Sequence, residues 1–302
     1  MPRLSIIIPH RNDQHLEETI LSVLENRPRD CEIIVVHDGS YCDPYQLDDE
    51  VVYVQEEPNS TVVELLNAGL MAACSPVVCT LLDGVVVSAN WAELALTRFA
   101  RAEVAAVAPQ LQLGRSVVSG IGASALHNVT KLRSGRVESK DSSAAAPTLA
   151  AGFYRRKLLL ALGGWNDEVG AGCADVELAF LMSEFELNCE CEPQVVVHAA
   201  AESIPSRNSK AIRELAGIAA ANGIASASFS ATISSVIIAA FTGTMSAALA
   251  WSSGLSNARV IREVTERRTY ANKQLGALRA AASIRIYSES ETAPAAAKRK
   301  AA

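Results

Sequence analysis

The sequence predicts an α/β fold: a mostly parallel, Rossmann-like central sheet flanked by helices, followed by a C-terminal helical extension. Two observations support this prediction. Short apolar runs, such as residues 4–8 and 33–36, alternate with segments whose apolar residues recur at helical spacing. Each run then ends abruptly in polar residues. Strands that are apolar on both sides are buried on both faces, which is typical of parallel strands joined by helices.

The first forty residues predict one complete strand, helix and strand unit. The strand at residues 4–8 is closed by Pro9, and a helix follows in which Leu16 and Ile20 lie on one face. The second strand ends at Asp38. Ligands of open α/β sheets bind beyond the carboxyl ends of the strands, so Asp38 is expected to project into a binding crevice.

A Rossmann dehydrogenase begins in the same way, but its first strand is followed by a glycine-rich turn. Here Pro9, His10, Arg11 and Asn12 occupy that position, so the dinucleotide-binding motif is absent. The missing glycine-rich phosphate loop also disfavours a nucleotidyltransferase on a similar sheet.

The alternation of strands and helices continues along the chain. Thr61 and Glu64 form the pattern of a capping box that opens a helix, and Asn90 with Glu93 suggests another cap. Residues 110–147 are predicted to be less regular and to end in a Ser/Ala-rich loop. The further predicted elements are strands at residues 51–54, 77–82, 104–109 and 194–197 and a helix at residues 91–101.

Composition narrows the class of protein. The 302 residues carry a formal net charge of −6, which argues against nucleic acid as the main partner. Seven cysteines without a paired CxxC set indicate reduced thiols in a cytosolic domain. Cys189 and Cys191 alternate as strand residues do, which favours a structural interpretation over a metal site.

No signal peptide is predicted, since Arg3, His10 and Arg11 leave too short an apolar core. The expected location is cytoplasmic.

The first strand ends in Pro-x-x-Asn, the second ends in Asp38 before Gly39-Ser40, and the helix after Thr61 contains Asn67-Ala68-Gly69. These three segments resemble family 2 glycosyltransferases with the GT-A fold. The resemblance implies a nucleotide-sugar donor whose base is received by Asp38. His37 replaces a second Asp, and His37 and His10 are expected to line the crevice. The implied donor-binding residues are Pro9, Arg11, Asn12, Asp38, Asn67 and Asp83.

The same resemblance implies a divalent cation, Mn²⁺ or Mg²⁺, because a nucleotide diphosphate brings negative charges that carboxylate-bound cations neutralise. Asp83-Gly84-Val85 stands where the family carries its DxD pair, and His198 matches a family His near the metal. Val85 has no carboxylate. We therefore expect weak metal dependence, with Arg11, Arg155 or Arg156 meeting part of the diphosphate charge. A strand-end cap at Asp83 and a structural His198 are the alternatives.

A second signature lies downstream and resembles the acceptor half of the family. Gly163-Gly164-Trp165 precedes two acids, and Asp175 matches the general base of inverting members. Ala174 replaces the Glu before that base, and Leu181 stands where Arg is frequent. A helix-capping role for the two acids is the alternative. The implied acceptor-binding residues are Gly164, Trp165, Asp167 and Glu168.

Beyond residue 203 the chain changes character. Residues 215–258 contain no charged side chain, and residues 233–251 form an apolar stretch with small residues at Ala239, Gly243 and Ala247. A basic helix follows. A helix pair lying on the cytoplasmic membrane surface and a soluble helical subdomain or oligomer interface both fit. The expected domains are 1–203, GT-A-like; 204–287, helical extension; and 288–302, disordered tail.

Together these features predict a glycosyltransferase that moves a sugar from a nucleotide-diphosphate sugar to a glycan or lipid-linked acceptor, with inversion, in polysaccharide or glycoconjugate synthesis. The alternative is a catalytically degenerate nucleotide-sugar-binding or scaffold protein on the same fold. The losses at Val85 and Ala174 favour that alternative, whereas the retained Asp38, Asp83 and Asp175 favour the enzyme.

Overall fold

A computed structural model describes residues 2–139, 144–200, 203–224 and 245–291, without the side chains of residues 245–248 and 282–291. It contains eleven strands and ten α-helices in these ranges. The strands are β1 (Leu4–Pro9), β2 (Cys31–His37), β3 (Val52–Gln55), β4 (Val77–Leu81), β5 (Val85–Val87), β6 (Val104–Leu113), β7 (Ser116–Val118), β8 (Ile121–Gly122), β9 (Ala144–Ala146), β10 (Ala151–Arg155) and β11 (Asn188–Ala199). The helices are α1 (Asp13–Glu25), α2 (Val62–Ala72), α3 (Trp91–Arg98), α4 (Ala123–Leu126), α5 (Val129–Ser134), α6 (Arg156–Ala161), α7 (Ala174–Glu184), α8 (Ser209–Ala221), α9 (Met245–Gly254) and α10 (Ala258–Glu291).

The predicted α/β class is confirmed by a nine-stranded sheet in the order β3-β2-β1-β4-β10-β6-β11-β5, with β7 paired to β6. Strands β1 to β4, β6 and β11 run in one direction, and β5, β7 and β10 run in the other. Strand β2 pairs with one side of β1, and β4 pairs with its other side. This reversal of strand order places a ligand crevice at the carboxyl ends of β1 and β4.

Local sequence explains the first two helices. Asn12 caps α1, since its side-chain oxygen accepts a hydrogen bond from the His15 N–H at 3.1 Å. The predicted capping box of α2 is present, with reciprocal bonds between Thr61 and Glu64. Helix α2 packs closely on the sheet at Gly69, where an added Cβ would lie 2.3 Å from Ile7 Cγ2.

Some predicted element boundaries differ from the structure. Helix α3 ends at Arg98 rather than at residue 101, and Asn90 adopts a left-handed conformation without a side-chain cap. The strand expected at residues 194–197 is the end of the longer β11, which pairs with β6 through two register shifts. The region predicted to be irregular contains several short elements, among them a ribbon of β8 and β9. The sequence did not predict this ribbon, because its paired residues lie far apart in sequence.

The three C-terminal helices pack together and against the α/β domain. Gly254 of α9 approaches α8 so closely that an added Cβ would lie 2.2 Å from the Arg213 carbonyl oxygen. Most of the apolar stretch at residues 233–251 lies outside the described residues, as do Ala239 and Gly243 and residues 292–302 of the expected tail. Within the described residues, no helix combines the length and apolar character needed to cross a membrane.

Ion pairs between basic residues of helix α10 and acidic residues of the α/β domain hold the helix in place. Arg267 Nε lies 3.4 Å from a carboxylate oxygen of Glu177, which is completely buried on α7. Arg268 pairs with Glu184 at 2.6 Å, and Arg259 pairs with Glu168. The helical subdomain and the membrane-surface alternatives both stay predictions.

The Glu177–Arg267 pair predicts a pH-dependent loss of stability. Removing one partner of a buried ion pair costs about 3–5 kcal/mol, so Arg267→Ala should lower the free energy of unfolding by about that amount at neutral pH. Burial already raises the pKa of Glu177, and loss of Arg267 raises it further. The native variant therefore holds a proton that the unfolded chain releases, and its stability falls as pH rises above the ordinary Glu range.

Chemical denaturation at acidic and neutral pH measures both effects. Arg262→Ala is the matched control, because this exposed arginine of the same helix pairs only with Glu263 and Glu266 among the described residues. It should change the free energy of unfolding by less than about 0.5 kcal/mol. Adding Glu177→Gln to Arg267→Ala should recover stability at neutral pH. Equal stability of Arg267→Ala and Arg262→Ala would show that the buried pair does not hold α10.

Candidate functional site

An ion pair between Arg11 and Asp83 forms the floor of the crevice. Asp83 follows β4 and is completely buried, and its Oδ1 accepts from the Arg11 guanidinium. Its Oδ2 accepts from the backbone N–H groups of Arg11 at 3.0 Å and Asn12 at 2.9 Å. Arg11 Nη2 also donates to the carbonyl oxygens of Asp83 and Ser203, each at 2.9 Å. The loop after β1 is thereby fixed to the end of β4.

Asp38 lies at the end of the neighbouring strand. Its Oδ1 accepts from the Ser40 hydroxyl at 2.5 Å and the Ser40 N–H at 3.2 Å, and its Oδ2 accepts from the Asn59 N–H at 3.1 Å. These bonds, chiefly the one from the Ser40 hydroxyl, lower the pKa of Asp38. The Ser40 hydroxyl lies 3.4 Å from His10 Nδ1, and His10 directly precedes Arg11. Asp38 and the Arg11–Asp83 pair therefore belong to one connected site.

An aromatic cluster surrounds His37, the residue before Asp38, and its two tyrosines were not predicted from the sequence. The rings of Tyr41 and Tyr53 stack with centroids 6.1 Å apart. His10 lies against Tyr41, and His37 contacts both tyrosines edge-on. Burial lowers the pKa of His37, which favours a neutral imidazole beside Asp38. The predicted crevice-lining histidines are thus anchored by ring packing. The only local sequence signal for this aromatic cluster is Tyr41, which lies two residues after Gly39.

Asn67 joins the donor half to the acceptor loop. Its amide donates to the Trp165 carbonyl at 2.8 Å and accepts from the Trp165 N–H at 2.9 Å. Gly164 has φ +72°, and an added Cβ would lie 2.3 Å from Asn67 Oδ1. Only glycine fits this position. The Trp165 ring is 1% exposed and packs edge-on against Tyr154, so its face is covered in this structure.

The two predicted acids of the acceptor loop lie in a single helical turn, Asp167–Val169. Asn166 caps this turn by accepting from the Glu168 N–H at 3.1 Å. Asp167 and Glu168 are exposed, and Glu168 pairs with Arg259. Capping is therefore done by Asn166. A cleft between this loop and α10 leaves both acids accessible.

Asp175 lies in the first turn of α7 and is 4% exposed. Both of its carboxylate oxygens lie 3.2 Å from Arg207 Nη2, and Oδ2 also accepts from the Leu149 N–H at 3.3 Å. Arg207 pairs with Glu138 as well. Burial raises the pKa of Asp175 even though Arg207 opposes that shift. Arg207 and Glu138 were not predicted from the sequence, because no local pattern connects them with Asp175.

A cavity of about 410 Å³ is lined by Asp175. Ala150 of its wall accepts from the Leu82 N–H at 2.9 Å, and Leu82 directly precedes Asp83. Ser203, which binds Arg11 through its carbonyl, directly precedes Ile204 of the cavity wall. Asp175 therefore lines a cavity whose wall residues Ala150 and Ile204 are bonded or joined to direct neighbours of the Arg11–Asp83 pair. Its walls are mostly aliphatic, formed by residues such as Leu111, Leu113, Val118, Leu149, Ile204 and Pro205.

The positions expected to hold a divalent cation have other surroundings in the structure. The Asp83 carboxylate already binds Arg11, and Val85 is completely buried in β5. His198 is exposed and in register with Val86, whereas Val85 is in register with Ala199. Successive strand residues point to opposite faces, so His198 and residue 85 face away from each other. Among the described residues no three His, Cys, Asp or Glu side chains form a group suited to a metal.

The other two arginines expected at the diphosphate lie at the wrong edge of the sheet. Strand β10 runs antiparallel to β4, which places Arg155 beside Val77 at the start of β4 rather than at its end. Arg155 donates to the backbone carbonyls of Val104 and Phe99, and Arg156 donates to those of α2. That expectation is therefore wrong for both residues. Arg11 alone of the three lies at the crevice.

The strand order is that of the GT-A fold, and comparisons with known proteins agree. The model of the family described as Glycosyl transferase family 2 matches residues 5–161, just over half of the chain. The chain belongs to this family. The match covers the donor half, from β1 through α6, so the roles of Asp175 and the helical extension rest on geometry.

Two solved structures show the extent of the structural similarity. The structure of GalNAc-T7 with UDP, GalNAc and Mn²⁺ aligns with a TM-score of 0.55 and 15% identity, over 72% of this chain and 47% of that one. The chain thus spans about half of GalNAc-T7 as solved. The mannosyltransferase PcManGT from Pyrobaculum calidifontis, in complex with GDP-Man and Mn²⁺, aligns at 0.49 and 18% identity over 95% and 81% of the two chains. No curated protein matches the chain in sequence.

Proposed function

We propose that this protein transfers a sugar from a nucleotide-diphosphate sugar to an acceptor hydroxyl with inversion at the anomeric carbon, in polysaccharide or glycoconjugate synthesis. Family membership supports the reaction class. The observation that supports the mechanism is the cavity lined by the buried Asp175 carboxylate, whose wall residues Ala150 and Ile204 are bonded or joined to neighbours of the Arg11–Asp83 pair. A donor at the Arg11–Asp83 pair and an acceptor in the cavity would then lie next to each other.

Asp38 is proposed to bind the nucleotide base. Its carboxylate lies beyond β2, next to the switch point of the sheet, and its fixed orientation comes from Ser40 and Asn59. A carboxylate accepts hydrogen bonds from base N–H groups, such as those of uracil and guanine. The base would lie over the His37 side of the crevice, near the stacked tyrosines. UDP is the ligand of the GalNAc-T7 structure, and uridine or a related diphosphate is the proposed donor nucleotide here.

Asp175 is proposed as the general base. In the reaction the acceptor O–H proton passes to Asp175, the oxygen forms a bond to the anomeric carbon, and the bond from that carbon to the β-phosphate oxygen breaks. The nucleoside diphosphate leaves with the electron pair. Burial raises the basicity of Asp175, while Arg207 and the Leu149 N–H hold its carboxylate in position. The neighbouring Glu138 shares Arg207, which limits the stabilisation of the charged base.

The binding role of Asp38 predicts a loss of nucleotide affinity. Asp38→Ala removes a charged hydrogen-bond acceptor, so affinity for UDP or GDP, whichever the wild type binds, should fall roughly tenfold to a hundredfold. Isothermal titration calorimetry measures the change. Asp49→Ala, an exposed acid in the following loop, is the matched control and should bind as the wild type does. Equal affinity in Asp38→Ala and wild type would remove Asp38 from the base site.

The general-base role of Asp175 predicts a separate effect on turnover. Asp175→Asn keeps the shape and removes the proton acceptor, so transfer should fall roughly a hundredfold to ten-thousandfold while nucleotide affinity stays unchanged. Because the Asp175 pKa is raised, the acid limb of the wild-type rate profile should lie above the ordinary Asp range. Product formation across a donor and acceptor panel is the measurement.

Asp30→Asn, an exposed acid in the turn before β2, serves as the control and should retain full activity. Transfer by Asp175→Asn at the wild-type rate would show that another group takes the proton. A wild type that neither transfers nor hydrolyses any nucleotide sugar would favour the degenerate binding protein instead.

A further inference from the structure

The Arg11 guanidinium is a fixed cation at the carboxyl ends of β1 and β4, beside the position where the family resemblance implies a metal ion. The Arg11 guanidinium is bound through Nε and Nη2, and its Nη1 has no bonding partner among the described residues. About 27% of the Arg11 side chain is exposed, whereas the Asp83 carboxylate beneath it is completely buried. The remaining N–H groups of Arg11 are thus directed away from the buried carboxylate and can reach a ligand in the crevice. A guanidinium binds phosphate oxygens well because its planar donors match their spacing.

Charge balance explains why Arg11 and Val85 occur together. A divalent cation held by two carboxylates gives a site with no net charge, and so does one guanidinium held by one carboxylate. Val85 removes one carboxylate, and Arg11 supplies one positive charge instead of two. A metal ion added at Asp83 would have to displace Arg11 or lie beside its positive charge, which opposes binding. The buried, aliphatic Val85 contributes no oxygen ligand.

The backbone strengthens this arrangement. The N–H groups of Arg11 and Asn12 both donate to Asp83 Oδ2, so the carboxylate stays paired whether or not a ligand is present. Asn12 also caps α1, which fixes the position of the loop relative to the helix. Arg11 is therefore held in position before a donor binds. A preorganised cation stabilises developing negative charge without the cost of reorganisation.

We propose that Arg11, rather than a divalent cation, binds the diphosphate of the donor, and that sugar transfer by this protein is independent of metal. This inference rests on the proposed function, since it assigns the cation of that same site. Arg11 faces the β-phosphate oxygen as the bond to the anomeric carbon breaks and the nucleoside diphosphate leaves. No electron or proton is transferred to Arg11, which acts only through its charge and hydrogen bonds.

Calorimetric titration with UDP and with GDP, each in EDTA and in Mn²⁺, tests the inference on the full chain. We expect the same affinity in EDTA and in Mn²⁺, and an equal rate of transfer or donor hydrolysis in both. Arg11→Ala combined with Asp83→Asn removes both charges of the pair without leaving one buried alone, and should weaken nucleotide binding at least tenfold. Arg11→Lys keeps the charge but loses the planar donors, and should weaken binding less.

The matched control is Arg3→Ala, which removes an exposed arginine paired with Glu93 outside the crevice and should leave binding unchanged. Nucleotide binding or turnover that requires Mn²⁺ and disappears in EDTA would overturn the inference and leave the proposed function intact. Undiminished binding by the double variant would also overturn it. A wild type that binds neither nucleotide in either condition would overturn the proposed function, and the inference with it.

Discussion

The Arg11–Asp83 ion pair is the interaction on which the rest of the site depends. Asp83 follows a strand whose residues are all buried, and a carboxylate at that depth requires a paired charge and several hydrogen bonds. Arg11 supplies the charge, and two successive backbone N–H groups supply bonds. The pair fixes the loop after β1 to the end of β4, and the crevice forms at this switch point of the sheet.

The acceptor half depends on the same kind of long-range bond. Asn67 on α2 holds Trp165, and the close approach at Gly164 leaves no space for a side chain. Arg267 on α10 then binds the Gly164 carbonyl and the buried Glu177. The C-terminal helix therefore supports the acceptor loop directly. This contact gives the helical extension a structural role in holding the acceptor loop of the α/β domain.

Sequence patterns predicted what depends on local spacing. The alternating apolar runs predicted the strands, and the capping box at Thr61 predicted the start of α2, because both are set by residues a few positions apart. Family motifs located Asp38, Asp83 and Asp175 near strand and helix ends. The ion-pair partners of these acids could not be predicted from the sequence, since Arg207 meets Asp175 only through tertiary packing. The burial of Trp165 and the structural bonds of Arg155 likewise depend on neighbours distant in sequence.

The most direct test of the account is a crystal structure of the wild-type protein with UDP or GDP, grown in Mn²⁺ and measured at the manganese absorption edge. The account predicts a β-phosphate oxygen hydrogen-bonded to the Arg11 guanidinium, Asp83 still paired with Arg11, and no anomalous peak between the diphosphate and Asp83. A manganese ion that bridges the diphosphate and the Asp83 carboxylate, with the Arg11 side chain displaced, would contradict it.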